Sequence, residues 1–253
     1  MKIYIFADME GISGICGSTF VSWESVNFPR ARELMTREAN LCVDACFAAG
    51  ADEVIVRDGH GGGLNMLWEK FDHRAQLVQG DTPGVRFAGI EGSDGVILLG
   101  YHAMAGTPGA HLEHTYSSAT IQNLWMNGRR VGEFAIDCVI AGEHGVPVIM
   151  TSGCDKLAAE ARDFSPEVVT CEVKRSLSLQ GMLQFSADQV EEAIRCGVKL
   201  AVRKMRAGAI PTITCSPVTL RGEWVERKAP SRYGGRIGEV TRPTAEEAFY
   251  ALF

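Results

Sequence analysis

The chain contains no apolar stretch long enough to cross a bilayer, which excludes a membrane-spanning helix. It has no run of lysine or arginine, and its formal net charge is -6, so neither nucleic acid nor an anionic membrane surface is an expected partner. Its eight cysteines include no CxxC pair. They lie mostly in apolar surroundings and are expected as reduced thiols that pack as small hydrophobes; Cys42 and Cys46 share one helical face, and Cys16 is given no role. The apolar run that opens the chain is interrupted at Asp8, too early for a secretory leader, and the expected compartment is the cytoplasm. Repeats and low-complexity linkers are also missing. What remains is 253 residues, 46% of them hydrophobic, enough for one large domain or a main domain with a smaller partner.

The first half alternates strand and helix signals. Lys2–Ala7, Glu53–Arg57, Gln76–Val78, Gly95–Tyr101 and Val146–Thr151 read as strands. Between them, Pro29–Ala49 and Arg130–His144 carry apolar positions at helical spacing, each followed by a glycine. Such alternation predicts an α/β fold with a mainly parallel sheet flanked by helices. Further on, Val168–Val173 reads as a strand, Ala187–Arg206 as a long helix capped by Ser186, Pro211–Thr219 as a strand, Gly234–Gly238 as a loop and Thr244–Phe253 as a closing helix. The expected division is a metal-binding α/β core over 1–155, with 156–253 forming a smaller C-terminal α+β part that completes the fold.

The chemistry sits where the strands end. Asp8 and Glu10 follow the first strand, Asp58 and His60 the second, and His102 the fourth. Open α/β sheets bind ligands beyond the carboxyl ends of their strands, so parallel neighbours would deliver all five to one crevice. Imidazoles and carboxylates without thiolates suit zinc or manganese in a hydrolytic site. Two ions there would polarise a carbonyl or phosphoryl oxygen and acidify water. Taken singly, DxE also reads as a solvated turn and DGH as a structural histidine. Asp58 reads equally as an outer partner of a metal-bound imidazole or as a turn-former before Gly59. The GHGGG stretch lacks the lysine and hydroxyl of a phosphate loop and the spacing of a dinucleotide fingerprint. Glu133, at a helix start, has an ordinary explanation in the helix dipole. His111 and His114 occupy a Gly/Pro/Thr-rich loop of the kind that carries function, while His73 and His144 read as surface residues.

The segments DMEGISG, TREAN, RDGHGGG, LLGYHAMAGTPG, HTYS and NGRRVGE, in this order and spacing, closely resemble the zinc-dependent D-aminopeptidase family of the DppA type. The match runs through about the first 155 residues and more loosely to the C-terminus. It implies two zinc ions per subunit, held by Asp8, Glu10, His60, His102 and Glu133, with Asp8 as the bridge. His114 would be the catalytic histidine outside the metal shell. The loop from His102 to His114 is slightly longer than in the family and holds the additional His111, but Thr115 after His114 favours His114. The implied activity is removal of the N-terminal residue from short peptides, D-amino-acid-containing ones by the family's substrate, in a homo-oligomer of ten subunits. A metal-dependent amidase or phosphoesterase is an alternative at the same site, and a non-catalytic binding protein is a third reading. No residue in the sequence itself specifies D over L.

Overall fold

Six parallel strands supply the frame, and the central ones are buried on both faces. The computed structural model describes residues 1–225 and 235–253. The strands are β1 (Lys2–Ala7), β2 (Glu53–Asp58), β3 (Gln76–Val78), β4 (Gly95–Tyr101), β5 (Ile121–Met126), β6 (Arg129–Arg130), β7 (Val148–Cys154), β8 (Val169–Ser178), β9 (Gly181–Gln184), β10 (Val218–Trp224) and β11 (Ile237–Arg242). The helices are α1 (Ser18–Val21), α2 (Phe28–Ala48), α3 (Glu133–Glu143), α4 (Asp155–Phe164), α5 (Ala187–Arg206) and α6 (Ala245–Leu252). The main sheet has the order β3-β2-β1-β4-β7-β8-β9, all parallel except the edge strand β9. A second, antiparallel sheet has the order β11-β10-β5-β6.

Period-two alternation distributes the core. Ile3, Ile5 and Ala7 of β1 pack on the side of α2 and α5, together with Ile97 and Leu99 of β4. Tyr4, Phe6, Val96 and Leu98 point the other way, onto α3, α6 and the second sheet. Each fully buried aliphatic side chain of this kind contributes about 1.5–3 kcal/mol. The chain leaves β1 for β2 and β3 on one side, then returns to β4 on the other. The β1/β4 boundary is therefore the switch point, where open sheets form their binding crevice.

Several elements differ from the sequence reading. The helix expected from Arg130 begins only at Glu133, because Asn127 and Gly128 adopt positive φ (50° and 81°) and turn β5 into β6. The strand expected over Pro211–Thr219 lies instead at Val218–Trp224; Pro211 and Pro217 lack the donor a paired strand needs. Of the expected Gly234–Gly238 loop, Gly234 lies outside the described residues and Ile237–Gly238 belong to β11. Ser186 does cap α5, in a reciprocal capping box with Gln189. Both sheets draw strands from either side of residue 155: the main sheet takes β8 and β9, and the second takes β5 and β6. Among the described residues, no helix is long and apolar enough to cross a membrane. All eight cysteines are free thiols.

Candidate metal centre

β1 and β4 continue to touch beyond their last ladder pairs. Asp8 N–H donates to Leu99 O (2.8 Å) and Gly11 N–H to Gly100 O (2.7 Å). Gly100 has φ +71°, and a Cβ there would stand 2.4 Å from Asp8 O, so only glycine lets the strand ends close this tightly. The result brings Asp8 and Glu10 up against His102. The turn after β2 adds His60, α3 adds Glu133 as its first residue, and the loop after β4 adds His114.

Three imidazoles are oriented by the same device. His60 Nε2 lies 3.3 Å from Val21 O, His102 Nδ1 3.0 Å from Ala103 O, and His114 Nδ1 2.9 Å from Leu112 O. A carbonyl can only accept, so each of these nitrogens carries the proton. In the neutral ring the opposite nitrogen is left with a lone pair, and in each case that nitrogen faces a carboxylate. His60 Nδ1 stands 3.1 Å from Asp8 Oδ1 and 3.0 Å from Glu10 Oε2. His102 Nε2 stands 3.4 Å from Asp8 Oδ2 and 3.2 Å from Glu133 Oε1. His114 Nε2 is 3.8 Å from Glu133 Oε1, and its ring stacks on His102 with centroids 3.9 Å apart.

Acceptors turned toward acceptors need a cation between them. Glu10 Oε2 and His102 Nε2 are buried and make no hydrogen bond. Burial opposes the charged form of His60 and His102, yet the facing carboxylates outweigh it and raise both imidazoles well above the usual range. Burial, joined by Glu10, raises Asp8. Burial also opposes ionisation of Glu10 and Glu133, but the imidazoles prevail, and Glu133 is held down to about 2. The residues fall into two groups with ligand-sized spacing, Asp8/Glu10/His60 and His102/His114/Glu133, and Asp8 reaches both through its two oxygens. Backbone carbonyls orienting imidazoles whose free nitrogens converge with buried carboxylates are what a metal centre requires.

The surrounding residues hold this arrangement. Tyr116 N–H donates to Glu133 Oε1 (2.8 Å), and Arg86, which pairs with Asp137, lies 3.8 Å from Glu133 Oε2. Asp58 does not contact the His60 ring. It accepts from Asn65 N, Asn65 Nδ2 and Met66 N at 2.6–2.8 Å, and Asn65 Nδ2 also donates to His60 O. Asp58 therefore shapes the turn, and Val21 O at the end of α1 is the outer partner of the ring. Lys174, from β8, donates to Glu10 O, Ile12 O and Ile15 O. Burial pushes this ammonium down to about 8. Neither Arg86 nor Lys174 emerged from the sequence; the only signal for Lys174 was its place directly after the expected strand, shared with the neighbouring Arg175.

His111 is buried away from the cavity, and its Nε2 accepts from Gly17 N–H at 2.9 Å. Burial pushes the imidazole down to about 4, so folding favours its neutral form. Its contribution to stability is complete above the unfolded pKa of about 6.5 and is lost as pH falls toward 4, by up to about 3 kcal/mol. Urea unfolding at pH 7 and pH 4.5 is expected to show a shallower acid loss in His111→Gln, which keeps an acceptor but does not titrate. Equal acid losses in variant and wild type would show that the imidazole is not a neutral acceptor.

Asp8, Glu10, His60, His114 and Glu133 line one cavity of about 390 Å³ with Arg86, while His102 lies behind them. A larger cleft of about 570 Å³ between α2 and α5 is lined by alanine, valine and basic residues and has no carboxylate or imidazole. The profile of the M55 peptidase family, described as D-aminopeptidase, matches residues 1–232. A D-aminopeptidase of Bacillus subtilis (strain 168) is 40% identical over 182 residues, covering 70% of this chain and 65% of that protein, just under two thirds of its length. The solved structure described as the Zn-dependent D-aminopeptidase DppA from Bacillus subtilis, a self-compartmentalizing protease, superposes with a TM-score of 0.90. It is 30% identical, with 99% of this chain and 95% of that chain covered. Profile and superposition agree: the chain belongs to the M55 family of D-aminopeptidases.

Proposed function

We propose that the protein is a zinc-dependent aminopeptidase that removes the N-terminal residue from short peptides with D-amino acids. The observation that carries this reading is the set of imidazoles pinned by backbone carbonyls, with their free nitrogens turned on three buried carboxylates. Asp8, Glu10 and His60 would hold one zinc ion, and Asp8, His102 and Glu133 a second. Zinc in this position supplies Lewis-acid polarisation of the scissile carbonyl and acidification of water.

The chain's own residues do the rest. His114 presents Nε2 to the cavity, where it can take or return a proton or bear on the carbonyl oxygen. Its Nδ1 contact with Leu112 O fixes which nitrogen does so. Val21 and the Ser117–Ala119 segment form the wall against the substrate. A cavity of about 390 Å³ suits the end of a short peptide rather than a folded chain. The self-compartmentalizing description of the Bacillus subtilis structure supports a homo-oligomer here, a decamer by family resemblance. Eight free thiols suit a reducing cytoplasm.

Metal analysis of protein purified without chelator, combined with turnover of D- and L-alanyl anilides, tests the reading. About two zinc ions per chain and faster cleavage of the D-substrate are expected. Protein without transition metal would overturn the metallopeptidase reading, and equal rates or an L preference would overturn the substrate assignment.

A further inference from the structure

The turn that follows β1 carries two of the six converging residues, and its backbone runs through the interior. Met9, Ile12 and Ile15 bury their side chains completely, which leaves several carbonyls of the turn pointing inward, away from water. Buried carbonyls need donors. Three of them, on Glu10, Ile12 and Ile15, receive all three protons of one ammonium, Lys174 Nζ, at 2.6, 2.8 and 2.9 Å.

Lys174 is fully buried, and among the described residues it forms no ion pair. The buried carboxylate on that side, Glu38, is turned to Ser13, accepting from its backbone N–H at 2.9 Å and from its hydroxyl. Gln184 completes the clasp, taking Gly14 N–H (3.0 Å) and donating to Ile15 O (3.1 Å). Burying an unpaired ammonium is costly, and an apolar side chain would suit the flanking core better. The ammonium's whole hydrogen-bonding capacity is spent on one turn, and one of its acceptors belongs to Glu10 itself.

We propose that Lys174 is a positioning residue of the metal centre, fixing the backbone of Glu10 so that its carboxylate meets His60 and Asp8 at ligand distance. The inference rests on the reading of this site as a metal centre. Loss of Lys174 should weaken the ion held by Asp8, Glu10 and His60 and spare the ion held by Asp8, His102 and Glu133.

A double-mutant cycle tests it. Zinc dissociation constants are measured by competition with a chromophoric chelator for wild type, Lys174→Gln, Glu10→Gln and the double variant. Lys174→Gln is expected to weaken one ion at least about tenfold, the range for partners that orient ligands, and to leave the other within about threefold. Glu10→Gln should weaken the same ion, and the double variant should bind no more weakly than Glu10→Gln alone. Losses that multiply, equal weakening of both ions, or no loss would overturn the proposal. Lys174→Arg keeps a cation but cannot match the three-carbonyl geometry, so it should weaken the same ion by a smaller factor. That variant carries the test should Lys174→Gln not fold, and wild-type affinities in it overturn the proposal. A wild-type protein with one ion overturns the two-ion reading alone, since the cycle is then read on that ion; one with none overturns both.

Discussion

Asp8→Asn is expected to reduce turnover by at least about 10³-fold and to lower bound metal from about two ions per chain to one or none. Asp8 contacts two of the three imidazoles that face carboxylates, His60 through Oδ1 and His102 through Oδ2. An asparagine can present only one oxygen, and its amide group turns a donor toward a site built to receive a cation. The several kcal/mol that a metal contributes to the transition state amount to about 10³ in rate at 1.36 kcal/mol per factor of ten. Glu10→Gln makes the contrast, because Glu10 belongs to one group of ligands and should cost one ion.

The same variant should not destabilise the metal-free protein. Burial and the neighbouring Glu10 raise Asp8 above its ordinary pKa, so the ionised carboxylate is unfavourable in the empty fold at neutral pH. Removing that charge relieves the repulsion, and the urea midpoint of chelator-treated Asp8→Asn should equal or exceed that of wild type. Opposite signs in activity and stability mark a residue kept for chemistry rather than for folding. An Asp8→Asn protein that retains two ions and activity within about tenfold of wild type would refute the bridging role.

The sequence revealed those parts of the centre that parallel topology carries to one edge. Asp8, Glu10, His60 and His102 each follow an apolar strand, and β2, β1 and β4 are adjacent in the sheet, so position alone grouped them. Glu133 follows no parallel strand, and His114 lies well beyond the end of β4, further along the loop that starts with His102. The β5–β6 hairpin, turned at Asn127–Gly128, precedes the helix that begins with Glu133, and the helix expected from Arg130 took in the end of β6. The resemblance supplied these two residues where spacing could not. Asp58 illustrates a different limit. An outer carboxylate for His60 was one expectation, but all three rings are held by main-chain carbonyls, which leave no mark on the identity of the residues that provide them. Lys174 was hidden for a related reason: β8 runs on to Ser178, past the expected end at Val173, and the acceptors of its ammonium lie more than 150 positions away.

His114→Ala is the second large expectation, a fall in kcat of about 10²–10⁴ with zinc content and KM nearly unchanged. Its ring is aimed with unusual care. Leu112 and Tyr116, two positions to either side, both adopt positive φ (47° and 59°), conformations that cost about 1–3 kcal/mol each outside glycine. Leu112 O takes the Nδ1 proton, Tyr116 N–H holds Glu133, and the ring lies flat against His102 at an interplanar angle of 9°. His114 faces the cavity whereas His102 lies behind it, so the substrate meets the first ring and not the second. On the proposed reading, Asp8, His102 and Glu133 would already supply three protein ligands, the number that leaves a catalytic zinc ion one open position. A fourth protein ligand from His114 would close it. The alternative is nonetheless measurable, because Nε2 stands only 3.8 Å from Glu133 Oε1. Should His114→Ala lose one zinc ion in step with its activity, His114 is a ligand; retention of both ions with turnover gone makes it the group that handles the proton.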